Sequence, residues 1–125
     1  MLAYGPLAHG LLGGTITGTT TFGADDWRSH SPTFTGPGFR RNLQVVAALS
    51  RFAADRGATI AQLAVAWVLA HPAVQVAIAG SRTPAHLTEN IDAIDLTLSQ
   101  GGLAAIDRIM AAAAPLGGPT PEGTT

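Results

Sequence analysis

The feature that most limits the fold of this chain is that its 125 residues hold only two strand-like segments, separated by helices. The first is the short apolar run of residues 1–4, which Gly5 and Pro6 close. The second, residues 74–79, is apolar and rich in β-branched residues, as expected for a strand buried on both faces. Strands that alternate with helices favour parallel pairing and an α/β fold. Two parallel strands leave open edges and an uncovered apolar face, so the pattern indicates part of a larger sheet.

Four helices are predicted around these strands. The first covers residues 40–56, where apolar side chains recur at spacings of three and four and Gly57 supplies a stop. The second begins with a T-x-x-Q capping box and ends before Pro72. Three of the helices begin after a hydroxyl-bearing capping residue, namely Thr59, Thr83 and Ser99. Residues 10–38 are rich in glycine and threonine and are predicted to form a long loop, of a kind usually functional or disordered.

Composition excludes several classes of function. The formal net charge of −1 argues against a nucleic-acid or acidic-membrane partner. No cysteine is present, and the four histidines lack ligand spacing, so we predict no metal site. No apolar run is long enough to span a bilayer and no signal peptide is recognisable, which favours a cytoplasmic location. All seven basic residues are arginines, so any mechanism that needs a lysine is excluded from this chain.

No catalytic residue is predicted. The chain lacks a G-x-S-x-G nucleophile elbow. The adjacent carboxylates Asp25 and Asp26 are interpreted as a solvated loop pair, with Asp26 pairing to Arg28. The absence of lysine also excludes the phosphate-binding G-x-x-x-x-G-K motif.

The most informative segment follows the second strand. Gly80 permits a close backbone approach, and Ser81 and Arg82 stand at the start of a helix that Thr83 caps. Exposed N–H groups, the positive end of the helix dipole and a guanidinium together can hold an anion. The alternative is an ordinary strand-to-helix turn with a solvated arginine, and the pattern alone leaves both open.

Four segments, in order, carry a resemblance to one family. They are residues 4–13 (YGPLAHGLLG), 25–28 (DDWR), 59–69 (TIAQLAVAWVL) and 78–90 (IAGSRTPAHLTEN). They are similar to the Y-S-P-L-x-x-G-x-L-x-G stretch, the D-D-W-R loop, the T-x-A-Q-L-A-L-A-W-V-L helix and the last strand and cofactor loop of aldo-keto reductases. The chain therefore resembles the C-terminal portion of an aldo-keto reductase, from about Leu2 to Met110.

The resemblance implies a partial TIM (β/α)8 barrel. Residues 1–114 would form its last two strand–helix units plus a C-terminal helix, and residues 115–125 are predicted to be a disordered tail. It also implies NADP(H) as cofactor and carries nine binding roles. Tyr4 would stack on the nicotinamide, and Leu7 and Gly10 would line the pyrophosphate with neighbouring backbone N–H groups. Ser81 and Arg82, which follow Gly80, would hold the 2′-phosphate. The adenosine would be contacted by His86, Glu89 and Asn90.

The family's catalytic Asp, Tyr, Lys and His belong to the first half of the barrel, and this chain has one tyrosine and no lysine. We therefore expect no reductase activity from the chain alone, and a carbonyl substrate only if the missing N-terminal half is supplied. Two alternatives stay open. One is a nucleotide-binding module without chemistry, and the other is a non-functional remnant that self-associates through its open sheet edges.

Overall fold

Two short parallel strands form the only sheet in the part of the chain that the computed structural model describes, residues 1–119. The strands are β1 (Leu2–Tyr4) and β2 (Val76–Ile78). Leu2 lies opposite Val76 and Tyr4 lies opposite Ile78. The predicted α/β class and parallel pairing are therefore confirmed, although β2 is shorter than the predicted residues 74–79.

Four helices accompany the sheet: α1 (Gly36–Ala54), α2 (Ile60–Leu69), α3 (Pro84–Asp92) and α4 (Gln100–Met110). The three predicted capping residues all accept a backbone N–H, and Thr59 forms the complete capping box with Gln62. Helix α1 begins at Gly36 rather than at residue 40, because Pro37 occupies the first turn, where no amide donor is needed. Gly57 follows α1 with φ of +69°, the left-handed conformation expected of a helix stop.

Most of the core lies between α1, α2 and α4. Its buried members are Val45, Leu49, Ala53, Ile60, Leu63 and Ile106. The spacing of apolar residues predicts a buried stripe on α1 that includes Ala47 and Leu49 but not Val45. Leu49 is buried, whereas Ala47 is exposed and Val45 is buried, so this prediction is partly wrong. A second cluster of Leu11, Phe34 and Phe39 holds the segment that was predicted to be a long loop. That segment also includes a 3-10 turn at Trp27–His30.

One face of the sheet is uncovered. Leu2, Tyr4, Val76 and Ile78 point to this face and are 66%, 57%, 46% and 48% exposed. We call these four residues the open sheet face. The prediction that the second strand is buried on both faces is therefore wrong, because no described element covers this side. The alternate side chains, Ala3 and Ala77, are partly buried.

Residues 115–119 follow α4 and return toward the segment before α1. The amide of Gly117 donates to Thr33 Oγ1 at 2.8 Å, and the Thr33 hydroxyl donates to the Gly117 carbonyl at 3.1 Å. Of the tail predicted for residues 115–125, residues 120–125 lie outside the described part. Among the described residues, no helix combines the length and apolar character needed to cross a bilayer.

Candidate nucleotide-binding groove

A groove of about 700 Å³ opens where the two strands end. All nine residues predicted to bind the cofactor line it: Tyr4, Leu7, Gly10, Gly80, Ser81, Arg82, His86, Glu89 and Asn90. The segments after β1 and β2 meet here because the carboxyl ends of parallel strands share one edge, where ligands of α/β folds bind. The structure thus brings the residues together, and their roles toward a nucleotide stay predictions.

The loop between β2 and α3 is held by a side chain of α3 itself. Asn90 Nδ2 donates to Ser81 Oγ at 2.9 Å and to the Gly80 carbonyl at 3.4 Å. Thr83 Oγ1 accepts from the first turn of α3, so the loop is tied at both ends. Arg82 is exposed and lines the groove. The anion site at this turn stays a prediction beside the alternative of a solvated arginine.

Glu89 is oriented by a neighbouring helix. Its Oε1 accepts a hydrogen bond from Thr59 Oγ1 at 2.6 Å, and the same Thr59 oxygen accepts from the amide of Gln62 to cap α2. The carboxylate of Glu89 is therefore hydrogen-bonded at the junction of α2 and α3.

The segment after β1 turns with left-handed backbone. Ala8, His9 and Gly10 have φ of +50°, +56° and +96°. The amides of Ala8 and Gly10 donate to the carbonyls of Gly5 and Leu7, both at 3.0 Å. These two hydrogen bonds close the turn, and the pyrophosphate role of Leu7 and Gly10 stays a prediction.

Arg28 lines the same groove and was not predicted to do so. Its Nε and Nη2 donate to the two carboxylate oxygens of Asp26 at 3.0 and 2.6 Å, which confirms the predicted pair. Its Nη1 donates to the His9 carbonyl at 3.3 Å, and its guanidinium lies 4.4 Å from the centre of the Phe22 ring. The Arg28 hydrogen bonds lower the pKa of Asp26 to about 2.

The groove carries charged side chains of both signs. It is lined by two guanidinium groups, Arg28 and Arg82, and by one carboxylate, Glu89, which already accepts from Thr59. Among residues 1–119, no group of three or more His, Asp or Glu side chains could hold a metal ion.

An α/β unit with a groove at the carboxyl ends of its parallel strands is the form of one part of an α/β barrel. The comparisons with known proteins agree. The chain belongs to the aldo/keto reductase family, whose model matches residues 1–111.

Its relatives are longer proteins. The aldo-keto reductase YhdN of Bacillus subtilis is 41% identical over 69% of this chain, which covers 26% of that protein. The aldo-keto reductase yakc [NADP(+)] of Schizosaccharomyces pombe is 30% identical over 79% of the chain, which covers 29% of that relative. The structure of the glycerol dehydrogenase AKR11B4 from Gluconobacter oxydans matches 95% of the chain with a TM-score of 0.84 and 36% identity. The chain covers 36% of that structure, so the fold is part of an α/β barrel.

Proposed function

We propose that this chain is the nucleotide-binding part of an NADP(H)-dependent aldo/keto reductase, formed by the last two strand–helix units of the barrel and the helix that follows. The observation that carries the proposal is that nine residues from two distant segments, Arg82 among them, line one groove together with a second guanidinium group, that of Arg28. A groove of about 700 Å³ lies within the usual size of cofactor sites. The S. pombe relative carries NADP(+) in its name.

Each end of the groove suits one end of the nucleotide. Tyr4, the last residue of β1, is 57% exposed and offers a flat ring to the nicotinamide. Ser81 and Arg82 can hold the 2′-phosphate through charge-assisted hydrogen bonds. Glu89 and Asn90, with His86, are placed to contact the adenosine. NADPH, when bound, supplies the hydride for reduction of a carbonyl.

The general acid that the family resemblance implies is a tyrosine supported by a lysine, and we place this pair outside the chain. Its one tyrosine is Tyr4, and it has no lysine. We therefore expect no turnover from the chain alone. We also expect NADPH to bind it more weakly than micromolar, because a site is precise only when its surroundings support it.

The test compares two arginine variants by NMR titration, which measures weak binding. Arg82→Ala should weaken NADPH binding about tenfold, the loss expected for a charge-assisted hydrogen bond to the 2′-phosphate. Binding of NADH, which lacks that phosphate, should stay within about twofold of wild type. The matched control is Arg40→Ala, at an exposed arginine of α1 outside the groove. Equal NADPH binding by wild type and Arg82→Ala would contradict the proposal.

A second candidate is a chain without chemistry that associates with itself. The open sheet face favours it, because its four large side chains are between 46% and 66% exposed. Both functions share the same fold and differ in whether the groove binds a nucleotide.

A further inference from the structure

The left-handed turn at Ala8–Gly10 needs support from outside itself. Two of its three residues carry a Cβ, and such residues rarely adopt φ of +50° and +56°. Backbone of this kind persists only where surrounding groups hold it, and it is concentrated at functional sites. The turn lies in the groove, since His9 and Gly10 both line it.

The support comes from the 3-10 turn at Trp27–His30. Arg28 Nη1 donates to the His9 carbonyl at 3.3 Å. The Trp27 ring meets the His9 imidazole edge to face, with centroids 4.9 Å apart. These two contacts join the middle of the left-handed turn to a segment about twenty residues further along the chain.

Asp26 in turn holds Arg28. Its two oxygens accept from Nε and Nη2 of the guanidinium, and its Oδ1 also accepts the Arg28 amide at 3.0 Å. Nη1 is therefore the guanidinium nitrogen that donates to the His9 carbonyl. Asp26 does not line the groove, whereas Arg28 does. The carboxylate therefore acts on the groove through Arg28.

We propose that Asp26 and Arg28 are positioning residues that keep the Ala8–Gly10 turn in the shape that receives the nucleotide diphosphate. We call the pair the Asp26–Arg28 brace. The inference rests on the proposed function, because the turn is useful in this way only if a nucleotide occupies the groove. It has a distinctive consequence: Asp26 favours the binding of an anion despite its own negative charge, because its effect on geometry outweighs its repulsion.

The sign of one substitution tests this. Asp26→Asn removes a negative charge near an anion site, so simple electrostatics predicts tighter binding, whereas loss of the brace predicts weaker binding. Arg28→Lys keeps the positive charge but lacks the planar fork that reaches both Asp26 and His9. Asp25→Asn is the matched control. Asp25 is an exposed neighbour of Asp26, and its substitution removes the same charge without changing the brace.

Two probes separate the diphosphate from the rest of the nucleotide. One is 2′-phospho-ADP-ribose, which contains the diphosphate, and the other is adenosine 2′-monophosphate, which contains neither of the two diphosphate phosphates. In NMR titrations of the full chain, Asp26→Asn and Arg28→Lys should each weaken the binding of the first probe about tenfold. Both variants should bind the second probe within about twofold of wild type. Asp25→Asn should leave both affinities unchanged.

Several results would overturn the inference. Tighter or unchanged binding of 2′-phospho-ADP-ribose by Asp26→Asn, or wild-type binding by Arg28→Lys, would show that charge alone matters. Equal weakening of both probes would show a general loss of structure. If wild type binds neither probe, the proposed function itself fails, and the brace fails with it. Amide shifts of His9 and Gly10 in each variant report directly whether the turn has changed.

Discussion

At the residue scale, Asp26 is the carboxylate whose ionisation the structure constrains most. The hydrogen bonds from the Arg28 side chain and amide stabilise its charged form and lower its pKa from 3.8 to about 2. A carboxyl whose pKa is depressed in the folded state stabilises the fold fully above its unfolded pKa. That contribution is lost as the pH falls through the folded value. We therefore expect the Asp26–Arg28 brace to remain intact at pH 4 and to open toward pH 2.

NMR titration of the carboxyl carbons tests this expectation. In wild type, Asp26 should titrate with a midpoint near 2, and the amide shifts of His9 and Gly10 should change over the same range. The Arg28→Gln variant loses both the positive charge and the planar guanidinium, so the titration midpoint of Asp26 should move back toward 3.8. A wild-type midpoint near 4 would show that the ion pair does not form in solution.

The groove residues differ in how far sequence could reveal them. The nine predicted residues came from two segments that resemble a known family, and the parallel strand ends bring those segments together. Arg28 was missed because Asp26, two residues earlier, already explained it as a local ion pair. Its bond to the His9 carbonyl, 19 positions away, depends on tertiary structure. The only available signal was the D-D-W-R segment, to which no role had been given.

At the scale of elements, Thr59 joins the start of α2 to α3. Its hydroxyl donates to Glu89 and its oxygen accepts from Gln62, so one side chain serves a helix cap and the groove. Thr59→Ala should lower the free energy of unfolding by about 1 kcal/mol, the usual loss for a removed N-cap. Thr59→Ser keeps both hydrogen bonds and should remain close to wild type. Urea denaturation measures both variants, and equal losses for Ala and Ser would contradict the capping role.

Local chemistry explains which elements the sequence could predict. The N-caps of α2, α3 and α4 depend on one side chain and amides within three residues, so the pattern determined them. The start of α1 was placed too late because Gly36, Pro37 and Gly38 are poor helix residues that are nevertheless tolerated in a first turn. The burial of β2 was predicted wrongly because it depends on covering elements, which no local pattern can reveal.

At the scale of the whole molecule, the open sheet face should govern association. Full burial of a Val or Ile side chain stabilises the buried state by about 1.5–3 kcal/mol relative to the exposed one, so contact between two such faces is favourable. We expect the chain to self-associate, and the double variant Val76→Thr, Ile78→Thr to do so less while keeping its β-branched side chains. Ile94→Thr is the control, because Ile94 is 69% exposed but lies outside the sheet face. Sedimentation velocity measures the distribution, and a monodisperse wild-type monomer would contradict the expectation.

The same face should accept the remainder of a barrel. The chain covers 26% of the B. subtilis relative, and the rest of that protein offers a source of the missing strands. We expect a folded N-terminal fragment of that relative, ending before the matching segment, to reduce self-association of the chain and restore NADPH-dependent carbonyl reduction. Activity should disappear with Arg82→Ala at low NADPH and return at high NADPH, because the substitution weakens binding without removing the general acid. Arg40→Ala should retain activity at both concentrations. A mixture of folded fragments that forms a complex but shows no turnover would contradict the reductase assignment, while leaving association through the sheet face intact.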